Sequence, residues 1–216
     1  MILSCDFETT TDPKDCRVWA FGAVEVGNTQ NFYWGKTLDE FMERFLTKDC
    51  HTCYFHNLKF DGEFILHWLL TNGYTWVKEK KEAQDKTFTT LISDMGQFYT
   101  IDIYKKWDKT NRNQVALHLI DSLKILPLSV KEIAGAFKMS IQKTEIDYNK
   151  IRPVGYEMDE TEREYLYNDC AIIAKALENQ FQQGLKKLTQ ASNAFHDYKE
   201  RVGKKQYAAW FPAAKV

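Results

Sequence analysis

Two acidic residues close to the N-terminus could carry metal-dependent chemistry. Asp6 and Glu8 flank Phe7 in an apolar run, so in a β-strand both carboxylates would point to the same face. Burying two carboxylates side by side is costly unless they are paired or bound to metal. The Asp6-x-Glu8 pattern therefore predicts a metal site, although acidic pairs near strand ends are also commonly solvated.

A third carboxylate, that of Asp61, follows a polar and aromatic segment where a strand gives way to a helix. Asp is a favoured helix N-cap, so a purely structural role would also explain Asp61. That role does not explain the residues before it. Asn57 offers amide hydrogen bonds, and Phe60 offers a ring on which a base could stack.

The fourth carboxylate, that of Asp169, lies on the last long helical pattern. Tyr165 and Asp169 are four residues apart and share one helix face. Both lie beside the apolar stripe that contains Ile172 and Ile173, which directs Asp169 toward the sheet. The alternative is an amphipathic helix with an acidic residue at the edge of its apolar face.

Taken together, the four carboxylates predict phosphodiester hydrolysis. They could bind two hard divalent cations, Mg²⁺ or Mn²⁺, which prefer oxygen ligands, whereas zinc would call for His and Cys. Two such ions stabilise the attacking and leaving oxygens of a displacement at phosphorus. Tyr165, one helical turn before Asp169, could hold the attacking water in line.

The elements that must position these residues are readable as an alternation of strands and helices. Alternating or apolar runs predict strands over residues 2–9, 17–26, 31–34, 52–56, 88–93, 98–104 and 115–121, with a basic hairpin tip over 105–112. Helical spacing predicts helices after Thr37, from about 60 to 72, over 130–138 and from Asp159, where Asp159-x-x-Glu162 resembles a capping box. The pattern indicates an α/β fold with a mixed sheet and helices on its faces.

Composition and charge fit one domain with a small appendage. The chain has 216 residues, 44% hydrophobic, with a net charge of −1. Residues 184–216 carry seven basic and two acidic side chains, so an acidic body precedes a basic tail. This distribution suits a carboxylate site beside a phosphate-contacting surface, although a solvated basic helix face explains the tail equally well.

The cysteines and the N-terminus bear on cellular location. Five cysteines, an odd number, argue against a disulfide framework. Cys50 and Cys53 have C-x2-C spacing, but no second Cys/His pair at zinc spacing follows them. We find no signal peptide and no membrane-spanning run, so we expect a cytoplasmic protein.

The motifs resemble the exonuclease domain of proofreading family B DNA polymerases. Asp6-x-Glu8, Asn57-x3-Asp61 and Tyr165-x3-Asp169 match its three exonuclease motifs in order and spacing, in the version with tyrosine before the last Asp. The sequences of four segments resemble the protein-primed polymerases of small tailed phages still more closely: residues 4–11, 15–20, 54–62 and 152–156. The resemblance covers essentially the whole chain and implies a ribonuclease H-like mixed β-sheet flanked by helices.

The resemblance also implies roles for individual residues. Asp6, Glu8, Asp61 and Asp169 would hold two Mg²⁺ or Mn²⁺ ions, Tyr165 would orient the water, and Lys143 would stabilise charge at the scissile phosphate. The residues implied to grip the 3′ end are Thr9, Asn57, Phe60, Ser122, Leu123 and Tyr148. Those implied to contact single-stranded DNA and the priming terminal protein are Tyr54, His56 and Phe64.

In one respect the chain departs from the family, because it stops at Val216, about where a polymerase domain should begin. We therefore expect an exonuclease domain over residues 1–183 and a basic helical extension over 184–216, leading toward an absent polymerase domain. The expected protein is a monomer, acts on single-stranded DNA 3′ ends and works in the cytoplasm of a phage-infected host. Three alternatives stay open: a small-RNA exonuclease, a non-catalytic module that binds single-stranded DNA or terminal protein, and a decoy of a host DNA enzyme.

Overall fold

The structure, a computed structural model, describes residues 1–106 and 115–212. It contains eight strands: β1 (Ile2–Thr9), β2 (Val18–Glu25), β3 (Asn28–Gly35), β4 (His51–Phe55), β5 (Thr75–Trp76), β6 (Thr87–Ile92), β7 (Phe98–Tyr104) and β8 (Val115–Asp121). Its helices are α1 (Leu38–Phe45), α2 (Leu58–Thr71), α3 (Val130–Ala136), α4 (Glu160–Gln182), α5 (Gln190–Val202) and α6 (Lys204–Trp210). Two short 3₁₀ turns lie at Lys80–Glu82 and Ser122–Lys124.

The strands form one mixed sheet in the order β3-β2-β1-β4-β8-β7-β6-β5. β1, β4 and β8 run parallel, β2 and β3 extend the sheet antiparallel on one side, and β7 and β6 do so on the other. The predicted α/β fold is confirmed. The parallel centre matters for the site, because β1, β4 and β8 end at the same edge of the sheet.

Helices cover both faces of this sheet. α1 and α2 bury Phe41, Phe45 and Ile65 against one face, next to Phe7 of β1. α3 and α4 pack on the other face, where Ile172 of α4 belongs to a second apolar cluster. Because side chains alternate along a strand, Phe7 points toward α1 and α2 while its neighbours Asp6 and Glu8 point toward α4.

The close approach of α4 to the sheet depends on Gly22 of β2. Gly22 pairs with Asp6 across the β1–β2 ladder. A Cβ at this position would lie 2.7 Å from Leu166 Cγ and 3.2 Å from Cys170 Sγ of α4. The missing side chain thus lets α4 lie against β1 and β2, which brings Asp169 beside Asp6.

Capping residues define the ends of the helices that matter here. Thr37, after which a helix was predicted, caps α1 and accepts a hydrogen bond from Glu40 N. Asp159 caps α4 in a complete capping box with Glu162, also as predicted. α5 and α6 pack on each other through Phe195 and Tyr207, whose ring centroids are 5.6 Å apart.

Some sequence predictions fall outside the structure or differ from it. Residues 107–112 of the predicted basic hairpin tip lie outside the described residues. The two-residue strand β5 was not predicted. Within the described residues, no helix is both long and apolar enough to cross a membrane.

Candidate active site

A cavity of about 530 Å³ opens at the ends of β1 and β4, between α2 and α4. We call it the carboxylate cavity. Of the residues selected from the sequence, it is lined by Asp6, Glu8, Thr9, His56, Asn57, Phe60, Asp61, Lys143, Tyr148, Tyr165 and Asp169. All four carboxylates from three separate elements therefore reach one space.

The first two carboxylates come from β1 and lie side by side as the alternation predicted. Burial, followed by the charge of Asp169, raises the pKa of Asp6 from 3.8 to about 7. Burial, followed by the charges of Asp6 and Asp169, raises the pKa of Glu8 from 4.5 to about 9. The positive charge around these two carboxyl groups is therefore too small for them to ionise at the pH at which exposed Asp and Glu side chains do.

Asp61 enters the cavity from the first turn of α2, and its side chain is buried. The N-cap of that helix is Asn57, which adopts the left-handed conformation at φ 81°, so Asp61 does not cap the helix. Instead its Oδ1 accepts a hydrogen bond from Phe7 N at 3.3 Å, which ties α2 to β1 between Asp6 and Glu8. Burial, followed by the charge of Asp6, raises the pKa of Asp61 well above its usual range.

The strained turn at Asn57 has a consequence for its side chain. A left-handed conformation is uncommon for residues other than glycine and costs energy unless the surroundings enforce it. Here Asn57 N donates to Asp121 Oδ1 at 3.1 Å, and the amide side chain makes no capping hydrogen bond. That side chain lines the carboxylate cavity, where it can meet a ligand.

From α4, Asp169 and Tyr165 point into the cavity, and the segment between α3 and α4 supplies their partners. Lys143 Nζ donates to Asp169 Oδ2 and, at 3.3 Å, to the Tyr165 hydroxyl. The Tyr148 hydroxyl lies 2.8 Å from that of Tyr165. Burial, followed by the charges of Asp169 and Glu8, holds the pKa of Tyr165 far above its usual range, so its phenol stays protonated.

The donor set fits hard divalent cations. Asp169 Oδ1 is buried and has no hydrogen-bond partner, so it is an oxygen available to a cation. Burial raises the pKa of Asp169 although Lys143 opposes the shift, which means that one ammonium does not balance the four carboxylates. Within the part of the chain that the structure describes, no group of three or more His, Cys, Asp or Glu side chains is already arranged to hold a metal ion.

Other residues implied by the resemblance lie around the cavity or away from it. His56 lines it, but its Nδ1 contacts Ser122 Oγ at 3.0 Å and its Nε2 contacts Leu128 O at 2.8 Å, so both ring nitrogens are engaged by the protein. Ser122 is itself buried and donates to Phe55 O at 3.1 Å. Burial lowers the pKa of His56. The imidazole therefore holds the rim of the cavity together.

Ser122, Leu123, Tyr54 and Phe64 do not line the carboxylate cavity. Leu123 is half-buried next to Ser122, with its N–H donated to Asp121. Tyr54 is buried, with its ring 5.8 Å from that of Phe181. Phe64 lies one turn after Phe60 on α2, with the two ring centroids 5.7 Å apart, so it supports the exposed Phe60 ring at the mouth.

Two groups of residues around the cavity were not identified from the sequence. Thr11 and Val130 line it, and no local pattern marks them. Asp121, at the end of β8, is also buried but does not line the cavity, and its Oδ1 accepts from the backbone N–H groups of Asn57 and Leu123. An acid that terminates a buried strand and precedes a 3₁₀ turn is a signal for such a capping role.

Comparisons with known proteins identify the family to which the chain is similar. A family model described as DNA polymerase type B, organellar and viral, matches residues 42–215. The DNA polymerase of Bacillus phage Nf is 45% identical over 213 residues, and that of Bacillus phage phi29 is 44% identical over 213 residues. These matches cover 98% and 99% of this chain but 36% of each relative, so the chain spans about a third of their length.

The fold is likewise similar to solved structures of phi29 DNA polymerase. The structure of that polymerase complexed with single-stranded DNA matches with a TM-score of 0.89 and 43% identity. The match covers 96% of this chain and 36% of that one. The complex with primer-template DNA matches with the same TM-score and 42% identity.

Proposed function

Because this chain belongs to the organellar and viral type B DNA polymerases, and because four carboxylates from three elements line one cavity, we propose that it is a metal-dependent 3′→5′ exonuclease. Its substrate would be the 3′ end of single-stranded DNA, and its reaction the hydrolysis of the terminal phosphodiester to release a nucleoside monophosphate. The observation that carries the proposal is this group of largely buried carboxyl groups, whose charge Lys143 alone does not balance and bound cations would.

The metal ligands in this proposal are the cavity's own acids. Asp6, Glu8, Asp61 and Asp169 would hold two Mg²⁺ or Mn²⁺ ions, with the free Asp169 Oδ1 as one donor. When bound, such ions lower the pKa of a water molecule and stabilise both oxygens of an in-line displacement at phosphorus. An all-oxygen donor set favours these ions over zinc.

The remaining residues would bind and orient the substrate. Tyr165 keeps its phenolic proton, so it can hold a water molecule by a hydrogen bond while Lys143 and Tyr148 fix its hydroxyl. Lys143 carries an ammonium group at the cavity wall, suited to a developing phosphate charge. Asn57 and the exposed Phe60 ring stand at the mouth, where an amide and an aromatic face can hold a frayed base.

Several further features of the proposal rest on the relatives. The phi29 polymerase structure contains single-stranded DNA, which supports DNA over RNA as the ligand class here. A proofreading role, contact with a terminal protein and an adjoining polymerase module are proposed from the family alone. Residues 1–183 would be the exonuclease unit, and the helical region within 184–216 would lead toward the polymerase part.

The test is hydrolysis by the purified chain after removal of metal and addition of Mg²⁺ or Mn²⁺. A 5′-labelled single-stranded DNA oligonucleotide should shorten one nucleotide at a time, and an RNA of the same sequence should shorten far more slowly. Asp6→Ala with Glu8→Ala should abolish the activity, whereas Asp197→Ala with Glu200→Ala, two exposed acids of α5, should retain it. Intact DNA that still binds the chain would replace the proposal with a non-catalytic binding module.

A further inference from the structure

The segment between α3 and α4, residues 137–159, raises the question of what holds Lys143 and Tyr148 in place. It contains no helix and no strand, yet it delivers both side chains to Tyr165 and Asp169 of α4. Irregular backbone of this kind is ordinarily mobile, and a shift of about 1 Å at a reacting centre can cost on the order of a hundredfold in rate. Some fixed contact must therefore set its position.

One such contact is made by the guanidinium group of Arg152, which is buried together with the carboxylate of Glu162; Lys150 Nζ adds a second, at 3.2 Å from Glu162 Oε1. Arg152 Nε and Nη2 donate to Glu162 Oε1 at 3.0 and 2.8 Å. Arg152 Nη1 donates to Lys150 O at 3.2 Å, and Nη2 also donates to Asp147 O at 2.9 Å. One side chain thus closes the turn over residues 147–150 and ties it to α4.

Two aromatic residues complete the surroundings of this pair. The Arg152 guanidinium lies over the Trp19 ring of β2, with Cζ 4.3 Å from the ring centroid. The Tyr156 hydroxyl donates to Glu162 Oε2 at 2.6 Å. The pair is thereby fixed to the sheet as well as to the helix, and each of its charged groups has several partners.

We call the ion pair between Arg152 and Glu162 the anchor. The position of Glu162 on α4 explains why the anchor matters to the site. Residues three and seven positions after Glu162 are Tyr165 and Asp169, so the three lie along one face of the helix. Tyr148 follows the closed turn's first residue, Asp147, and meets Tyr165 one helical turn from the anchor. The anchor therefore fixes the position along α4 at which Lys143 and Tyr148 contact the helix.

We propose that Arg152, through its ion pair with Glu162, is a positioning residue that holds Tyr148 and Lys143 against Tyr165 and Asp169. It lies outside the residues lining the carboxylate cavity, and its hydrogen bonds go to Glu162, Lys150 and Asp147; its charge also acts on Glu8, and Arg152→Lys keeps that charge. This inference deepens the proposed exonuclease function and rests on it for the activity measurements only.

The test compares Arg152→Lys with Arg163→Lys. Lysine keeps the positive charge but has no planar fork, so it cannot reach Glu162 and both carbonyls at once. Arg163 is a matched control because it lies next to Glu162 on α4 and pairs with the exposed Glu160. We expect Arg152→Lys to lower kcat roughly tenfold to a hundredfold with a smaller change in KM, and Arg163→Lys to leave both unchanged.

A double-mutant cycle separates positioning from general destabilisation. If Arg152 acts by placing Tyr148, then Arg152→Lys added to Tyr148→Phe should reduce kcat less than the product of the two single losses. Losses that multiply fully, at a temperature where all variants are folded, would overturn the proposal. So would an unchanged kcat in Arg152→Lys.

Hydrogen–deuterium exchange provides a readout that does not need activity. The amides of Asn149 and Lys150, which donate to Asp147 at 2.8 and 3.3 Å, should exchange faster in Arg152→Lys than in the unsubstituted protein, while Arg163→Lys should match the unsubstituted protein. Unchanged exchange in Arg152→Lys would overturn the positioning role. A chain that hydrolyses nothing but shows the expected exchange would instead sink the exonuclease proposal and leave the anchor standing.

Discussion

Two buried acids on one face of α4, Glu162 and Asp169, meet opposite electrostatic surroundings. Burial alone would raise the pKa of Glu162, but hydrogen bonds from Tyr156, Asp159 N and Arg152 outweigh it and hold the pKa below its usual range. Burial raises the pKa of Asp169, and Lys143 only partly opposes the shift. Both oxygens of Glu162 accept hydrogen bonds, whereas Asp169 Oδ1, two helical turns further along α4, has no hydrogen-bond partner.

The difference in partners distinguishes an acid that stabilises the fold from acids that can bind a cation. Around Glu162 every oxygen has a donor, as buried charges require. The charge of Asp169 raises the pKa of both Asp6 and Glu8, so repulsion among these acids adds to the cost of burial. Burial by itself does not separate the two kinds of acid, but the balance of partners does.

The sharpest test of this comparison is the isosteric amide at each of the two positions, starting with Asp169→Asn. We expect DNA hydrolysis to fall by roughly a thousandfold or more, because a metal ligand is lost where charge develops in the transition state. The free energy of unfolding without metal should change little, since the neutral amide removes a poorly compensated charge. Near-normal hydrolysis rates with Mg²⁺ would remove Asp169 from the metal site.

Glu162→Gln should act mainly on stability. The substitution leaves the buried Arg152 charge without its counter-ion, so we expect the free energy of unfolding to fall by about 3 kcal/mol, the lower end for broken buried pairs. Urea unfolding measures the change. Glu160→Gln, which alters an exposed ion pair on the same helix turn, should lie within about 0.5 kcal/mol of the unsubstituted protein. Equal losses in both variants would contradict the contrast.

The two regions should also respond oppositely to pH when no metal is present. Asp6 and Glu8 have folded-state pKa values raised to about 7 and about 9, so their favourable contribution is complete below their ordinary pKa and is lost as pH rises to about 9. The pKa of Glu162 is lowered, so its contribution is present above its ordinary pKa and is lost as pH falls.

Urea unfolding in EDTA from pH 5 to 9 tests this opposition. Stability should decline with rising pH, by up to about 1.4 kcal/mol per pH unit for each proton involved. Asp6→Asn with Glu8→Gln should flatten the decline, and Mg²⁺ should stabilise the unsubstituted protein more at pH 9 than at pH 6. Glu162→Gln should run parallel to the unsubstituted protein above pH 6. A flat profile in the unsubstituted protein would contradict the predicted ionisation.

The smallest expected effect comes from Gly22→Ala, which tests how α4 carries both acids. The new methyl group would meet Leu166 Cγ at 2.7 Å, and overpacking of this kind costs about 1–3 kcal/mol. Hydrolysis should fall further than stability alone explains, because Asp169 would move away from Asp6. Gly135→Ala in α3 is the control, since its added methyl group meets no atom within 4 Å. Equal activity in the two variants would show that the spacing of α4 does not matter.

Much of the site follows from local sequence patterns. The alternation along β1 places Asp6 and Glu8 on one face, and the capping box at Asp159 starts α4 in the register that aligns Tyr165 with Asp169. Such patterns predict the relative positions of side chains within one strand or one helix, because those positions depend only on the local backbone geometry. The predicted mixed sheet with helices on its faces is also confirmed, because the order of strand and helix patterns along the chain indicates this fold class.

Other features depend on contacts between distant residues and leave no periodic signal. β5 is a two-residue strand with both side chains exposed, so it has no apolar pattern. Asn57, not Asp61, caps α2 because Asp121 from β8 stabilises its left-handed turn. Arg152 lies in an irregular stretch, and its burial becomes visible only when Trp19 and Glu162 surround it.

The continuity of α4 limits how the chain length can vary. The helix runs without a break over its 23 residues, so an inserted or deleted residue between Glu162 and Asp169 would rotate everything beyond it by about 100°. Such a change would turn Asp169 out of the cavity while Glu162 stayed anchored. The irregular segment before α4 could absorb an added residue outside its anchored turn. Insertions and deletions should therefore be tolerated a few residues upstream of α4 and be disabling within its first three turns.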